Sequence, residues 1–302
     1  MDITMNFTLG LTQGISWPWP IAVYLFLAGI SGGAVAVAIM LNLYKKQTAQ
    51  NTPILKAASL IGAVTIILGM VCLVADLTNP LWFWRILVYY NLTSVMSLGV
   101  IALIVYIPLV CILTLVAVRD SFKIGFLDGL IGWFDNHRCG LQWITLVFAL
   151  TICAYTGFLI SALIRFPLIN QAVLPALFVA SGLSAAKMVA AGMFGEDQHS
   201  ADQKVLHGAE WPIMAAEALC IFMIAVALFT GNAAAQHAAQ AFCTGTWATL
   251  FWVGVVGIGF VIPVVLCKAK GSGTFYLTGL CSVVGMMCLR LFILYAGQTY
   301  AI

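Results

Sequence analysis

The stretch ALTICAYTGFLISALIRF at 149–166 sets a phenol, Tyr155, inside an apolar run and a guanidinium, Arg165, at its end. On a helix the two stand about 15 Å apart, at 1.5 Å of rise per residue. Other polar groups fall at matching distances from the ends of neighbouring apolar runs: Trp19 and Tyr24 in WPWPIAVY, Asp76 after VCLVA, Asn91 and Ser94 in YYNLTSVMS. A hydroxyl in apolar surroundings fixes the oxygen of a bound molecule, and a nearby carboxylate takes up a proton released from it. An aromatic belt at a membrane surface accounts for Trp19. Tyr155 and Asp76 lie below that belt or at its inner edge, and they supply the donor and the acceptor.

A second set of ionisable groups lies within apolar runs: Lys187, Glu210, Glu217 and Arg290. Such groups cost several kcal/mol when placed centrally in a bilayer, so each needs a partner or a role. Glu210 and Glu217 are seven residues apart, which puts them two turns apart on similar faces of one helix. They are a candidate proton pathway, against the alternative of structural hydrogen bonding. Lys187 is placed to snorkel, and Arg290 to clamp helices through carbonyls or a carboxylate.

Metal chemistry has little support. His137, His199, His207 and His237 all fall in loops or at helix starts, so no pair faces across the interior as axial ligands of a heme. The nine cysteines show no C-x-x-C spacing and read as small packing residues. The chain is therefore expected to hold no heme, iron–sulfur cluster or other metal.

The elements that must position these groups follow from composition. Of 302 residues, 63% are hydrophobic and 8% charged, with a mean hydropathy of +1.07, whereas soluble domains carry about 25% charged residues. The chain is an all-α integral membrane protein by this reading. Runs of about 20 apolar residues recur at 18–44, 54–78, 91–118, 140–164, 170–193, 208–230, 244–267 and 274–297. Eight transmembrane helices are expected, in one membrane domain over 1–302, with four-helix bundles at 18–164 and 170–297. The alternating pattern of a membrane barrel is absent, and helices satisfy their own backbone in lipid.

Residues 1–17 hold no Lys or Arg, so no cleavable signal peptide is expected. Lys45, Lys46, Lys56, Arg119, Lys123, Arg138, Lys204, Lys268 and Lys270 fall on one side of the spans, against Arg85 and Arg165 on the other. The positive-inside rule then places both termini, Asp76, Arg165 and the PLWFWR segment outside the cytoplasm. In a bacterium this means a multi-pass protein of the inner membrane with periplasmic termini. The loops are too short for an extramembrane domain, so any soluble chemistry belongs to a partner.

A lipid-soluble quinol suits the Tyr155 and Asp76 pocket, but residues alone do not separate this from a proton or solute transporter or from a purely structural membrane anchor. Resemblance adds to that reading. The segments WPWPIAVYLFLAGISGG at 17–33, YYNLTSVMS at 89–97, AYTGFLISAL at 154–163, LPALFVASGLS at 174–184, HGAEWP at 207–212 and LRLFILYAGQ at 289–298 resemble, in order, the membrane subunits of the polysulfide reductase and NrfD family, most of all the NrfD branch associated with cytochrome c nitrite reductase.

The resemblance implies eight helices, no heme, and electron exchange between menaquinone and a periplasmic four-cluster [4Fe-4S] ferredoxin-like subunit that serves a terminal reductase. It implies a quinone near the outer end of the first bundle, with Tyr155 matching the phenol of the family's Y-x-G segment. Some polysulfide reductase anchors carry Asn and His where this sequence has Ile21 and Tyr24, which leaves Tyr24 as the polar contact from the first helix. The expected pocket is Trp19, Tyr24, Asp76, Asn91, Ser94 and Tyr155, with Arg165 at a ring carbonyl and Asp76 as proton acceptor. Membrane lipid is an expected partner and nucleic acid is not. Nitrite, polysulfide and thiosulfate all stay open as terminal acceptors.

Overall fold

The computed structural model describes residues 17–48, 50–77, 79–88, 94–119, 128–184, 201–266 and 272–300. Among them there is no strand. We number the long helices α1 (Trp19–Tyr44), α2 (Pro53–Ala75), α3 (Val95–Val118), α4 (Arg138–Ser161), α5 (Leu174–Ser184), α6 (Ala201–Phe229), α7 (Gly245–Leu266) and α8 (Ser272–Leu291, continued through Phe292–Ala296 and Gly297–Thr299). Short helices at Trp84–Val88, Asp128–Asn136 and Ala233–Ala239 lie between them.

Seven of these helices are long and apolar enough to cross a membrane; α5 is described over only 11 residues. The expected span at 170–193 therefore falls partly outside the described residues, as do Asn91, Lys187 and His199.

Local sequence sets the helix starts. Pro53 occupies the first turn of α2, where its missing N–H has no intrahelical partner to lose. Thr52, just before it, donates its hydroxyl to Asn42 Oδ1 at 2.8 Å, tying the start of α2 to the end of α1. Pro20 plays the same part in α1. At the other limit of the chain, Gln298 accepts from the Trp17 N–H at 2.8 Å and returns a bond to the Trp17 carbonyl at 3.3 Å. The starts of α1, α3, α5 and α7 thus share one end of the molecule with the ends of α2, α4, α6 and α8. We call this the terminal end, and the opposite one the loop end.

Helices α1 to α4 touch in a ring, each against the next and α4 against α1; α1 also contacts α5 and α8. It is the hub: 78% of its most apolar stretch is buried, against 17% in α6. Small residues make this possible, because close backbone approach drives helix association in lipid, where apolar side chains gain nothing by leaving one another's surface for an equally apolar solvent. A Cβ on Gly33 would run into the Gly182 backbone of α5. The Gly-rich sequence at 29–33 thus sets how near α5 comes.

Polar links cross the ring at mid-depth. Ser31 Oγ donates to the Gly62 carbonyl at 2.7 Å and lies 2.9 Å from Tyr106 Oη. A serine has one proton to give, so Tyr106 is the donor in the second bond. At the loop end Asp135 receives both Arg119 and Arg138.

The second half departs from regular helix. Residues Leu250–Val261 of α7 are π-helical, and so are Phe292–Ala296 of α8. The π-helix is rare and collects at functional sites. Here the glycines of α7 press on α8, Gly254 against Cys288 and Gly259 against the Gly285 backbone.

Candidate functional site

Four helices bring their functional groups to a common depth. Counting from the terminal end, Tyr24 is five residues into α1, Gly99 four into α3, and Gly69 and Tyr155 six from the last residues of α2 and α4. At 1.5 Å per residue these positions lie about 6 to 9 Å below the helix ends.

Tyr155 is 9% exposed, and its ring fills the place that a Cβ on Gly99 would take. Its hydroxyl reaches the Met96 carbonyl at 3.4 Å, a long bond that leaves it available to a better acceptor. Gly99 was not foreseen; its signal is a glycine four residues inside an otherwise apolar helix, just past the Asn91 and Ser94 segment.

Tyr24 is the more telling residue. Its side chain is 1% exposed, and among the described residues its hydroxyl has no hydrogen-bond partner. A buried hydroxyl left without a partner costs about 1–3 kcal/mol. The ring edge lies 3.4 Å from where a Cβ on Gly69 would stand, and Tyr155 is near enough to act on it electrostatically. The two phenols thus share one region between α1, α2, α3 and α4.

Asp76 caps α2, its N–H bonded to the Cys72 and Val74 carbonyls. It is half-buried, and burial pushes its carboxyl above the ordinary aspartate value. The Tyr155 hydroxyl bonds to Met96 and not to this carboxyl. Ser94 sits at the N-cap of α3, partly buried, without a capping bond from its side chain. Trp19 is 63% exposed at the first turn of α1, and Arg165 is exposed beyond the end of α4. These two stand at the rim, apart from the phenols. Asn91 lies outside the described residues.

Glu210 and Glu217 do share a face of α6, both buried. They line a cleft of about 620 Å³ walled by all four later helices, with Leu183 and Ser184 from α5, Val255 and Phe260 from α7, and Ser282 and Met286 from α8. Arg290, 1% exposed, clamps α8 to α5 by donating Nη2 to Ser181 Oγ at 2.7 Å and the Phe178 carbonyl at 3.3 Å. The clamp to carbonyls expected from sequence is found there.

The histidines whose surroundings are described serve locally. His137 contacts the Trp133 carbonyl and ring, and His237 packs edge-on to Tyr300. Among the described residues no group of three His, Cys, Asp or Glu is placed to hold a metal ion. A quinone fits the region better than a metal does: two phenols, one without a partner, face an apolar interior with a carboxyl at its mouth.

The sequence profile of the family described as "Polysulphide reductase, NrfD" matches residues 8–301. The C subunit of polysulfide reductase from Wolinella succinogenes is 40% identical over 302 residues, covering 95% of this protein and 95% of the relative. Protein NrfD of Escherichia coli is 34% identical over 305 residues, and a protein NrfD homolog of Haemophilus influenzae 34% over 309, each covering 95% of this protein and 96% of the relative. Among these three the identity is higher to the polysulfide reductase subunit, so the leaning toward the NrfD branch is not carried by them. A match over nearly the whole length, with apolar helices repeated along it, establishes that this multi-pass membrane protein belongs to the polysulfide reductase NrfD family of reductase membrane subunits.

Proposed function

We propose that the protein oxidises menaquinol at the terminal end of α1 to α4 and passes the electrons to a periplasmic iron–sulfur subunit of a respiratory reductase. The observation that carries this reading is the buried Tyr24 hydroxyl without a partner, set beside Tyr155. A quinol oxygen between the two phenols would give Tyr24 its missing bond and Tyr155 a better one than the Met96 carbonyl offers. The apolar walls exclude water from the ring, and Gly99 holds the Tyr155 ring by leaving room for it.

Oxidation of a quinol releases two electrons and two protons. Asp76, at the mouth of the region, accepts a proton in its carboxylate form and hands it to the terminal side, which the charge distribution of the loops makes the periplasm. Its burial favours taking up that proton. The electrons leave one at a time to a cluster of the partner, since this protein offers no redox metal site among the described residues. Helices α1 to α4, touching in a ring, form the quinol bundle; α5 to α8 surround the acidic cleft as the second. Glu210 and Glu217 are read as a proton pathway from the loop end. The names of the relatives favour polysulfide or nitrite reduction on the partner's side.

The test is menaquinol oxidation by the purified complex containing this protein, in wild type, Tyr155→Phe and Asp76→Asn, each checked for assembly. Loss of most quinol activity, with a soluble donor still driving the reductase, supports the site. Unchanged activity in both variants moves it elsewhere.

A further inference from the structure

The Arg290 guanidinium is buried, yet only one of its nitrogens is bonded. Nη2 serves Ser181 and Phe178, and the group lies 3.5 Å over the Phe178 ring, while Nε and Nη1 have no partner among the described residues. Charged donors buried in this way are costly unless something satisfies them. The acidic cleft approaches from the loop side. On α8 its lining residues Ser282 and Met286 stand at intervals of four, and Arg290 is the next position on that stripe, about 6 Å further along.

What separates cleft from guanidinium is the end of Met286. A Cβ on Gly29 of α1 would meet the Met286 methyl at 2.5 Å and Arg290 Nη2 at 3.4 Å, so methyl and guanidinium lie side by side against α1. Methionine is unbranched and moves at little cost. Glu217, in the cleft wall, is close enough for its charge to act on Arg290. The π-helical stretch of α7 adds Gly259 to the lining in place of a larger side chain.

We propose that the cleft is hydrated as far as Arg290, with water accepting from Nε and Nη1, and that Arg290 is the inner end of a proton path entering past Glu210 and Glu217, with Met286 as its plug. A polar cleft with several donors and acceptors has what internal water requires. The water site stands on the geometry of Arg290; its use in conduction rests on reading the two glutamates as a proton pathway.

The first arm of the test is X-ray hydroxyl-radical labelling of the assembled complex, in which bound water oxidises the side chains beside it. Met286, 2% exposed, is expected to oxidise faster than Met223, which is 46% exposed on α6. A Met286 as inert as other buried methionines overturns the proposal. The second arm uses the complex in proteoliposomes. Arg290→Gln is expected to slow Met286 labelling and abolish proton uptake from the loop side while quinol oxidation continues under an uncoupler; Arg290→Lys should keep part of both.

Unchanged proton uptake in an Arg290→Gln complex that turns over overturns the conduction role. If that variant fails to assemble, labelling of the wild type and of Met286→Ala, expected to open the plug and wet Met214 further, still decides. Labelling does not depend on quinol turnover, so failure of the Tyr155 site would leave this result standing.

Discussion

At the scale of single residues, the two phenols differ in a way that can be measured. Tyr24→Phe removes a hydroxyl that has no partner among the described residues, so folding should be unharmed or strengthened by up to about 1 kcal/mol. If that hydroxyl serves a quinone oxygen, affinity for a menaquinone analogue should fall about tenfold, or about 1.4 kcal/mol. Thermal unfolding and analogue titration on the same preparation check both halves, and a destabilised variant with normal affinity would count against the site. Asp76 gives a pH test. Its carboxyl is raised by burial, so it stays protonated to higher pH than an ordinary aspartate. The carboxylate is the form that accepts a proton, so quinol oxidation should be low below its midpoint and rise as pH climbs through it. Asp76→Asn should lose this limb of the profile, leaving a lower and flatter rate. Tyr155 and Asp76 were legible in the sequence because polar groups in apolar runs are few. Trp19 and Arg165 were legible as residue types but not as positions: a helix-end residue can turn to the rim or to the interior, and only the neighbouring helices decide which.

At the scale of elements, the site depends on glycines that contain no chemistry of their own. Gly99→Ala puts a methyl where the Tyr155 ring now lies, a forced repacking of about 1–3 kcal/mol. Quinol oxidation should fall as it does in Tyr155→Phe, although no polar atom has been removed. Equal rates in Gly99→Ala and wild type would show that the ring position is not critical. The bond from Ser31 to the Gly62 carbonyl and the one it receives from Tyr106 are ordinary interhelical links. Ser31→Ala should cost about 1 kcal/mol of stability and leave quinol activity unchanged. Sequence showed that the 29–33 stretch packs closely, since small residues in a membrane helix have that use. It did not show which partner each glycine meets, because helix pairing in lipid is set by shape across the interface and leaves little trace in composition. The π-helical stretches of α7 and α8 were not legible either, since their side chains are as apolar as those of their regular neighbours.

At the scale of the whole molecule, the arrangement of eight apolar stretches along the sequence was clear from hydropathy, and seven are long helices here; the fifth is described too briefly to count. Orientation is the remaining global property, and it decides which side of the membrane meets the iron–sulfur partner. The loop charges place the terminal end outside the cytoplasm. Two exposed cysteines lie at opposite ends: Cys243, in the turn just before α7 at the terminal end, and Cys139, in the first turn of α4 at the loop end. Variants keeping only one of the two can be treated in intact spheroplasts with a maleimide that does not cross membranes. Cys243 should react at once, and Cys139 only after the membrane is broken. The reverse pattern would put Tyr155 and Asp76 near the cytoplasm, so a quinol oxidised there would release its protons inward. The glutamate cleft would then open to the periplasm, and the direction of any coupled proton movement would change sign with it.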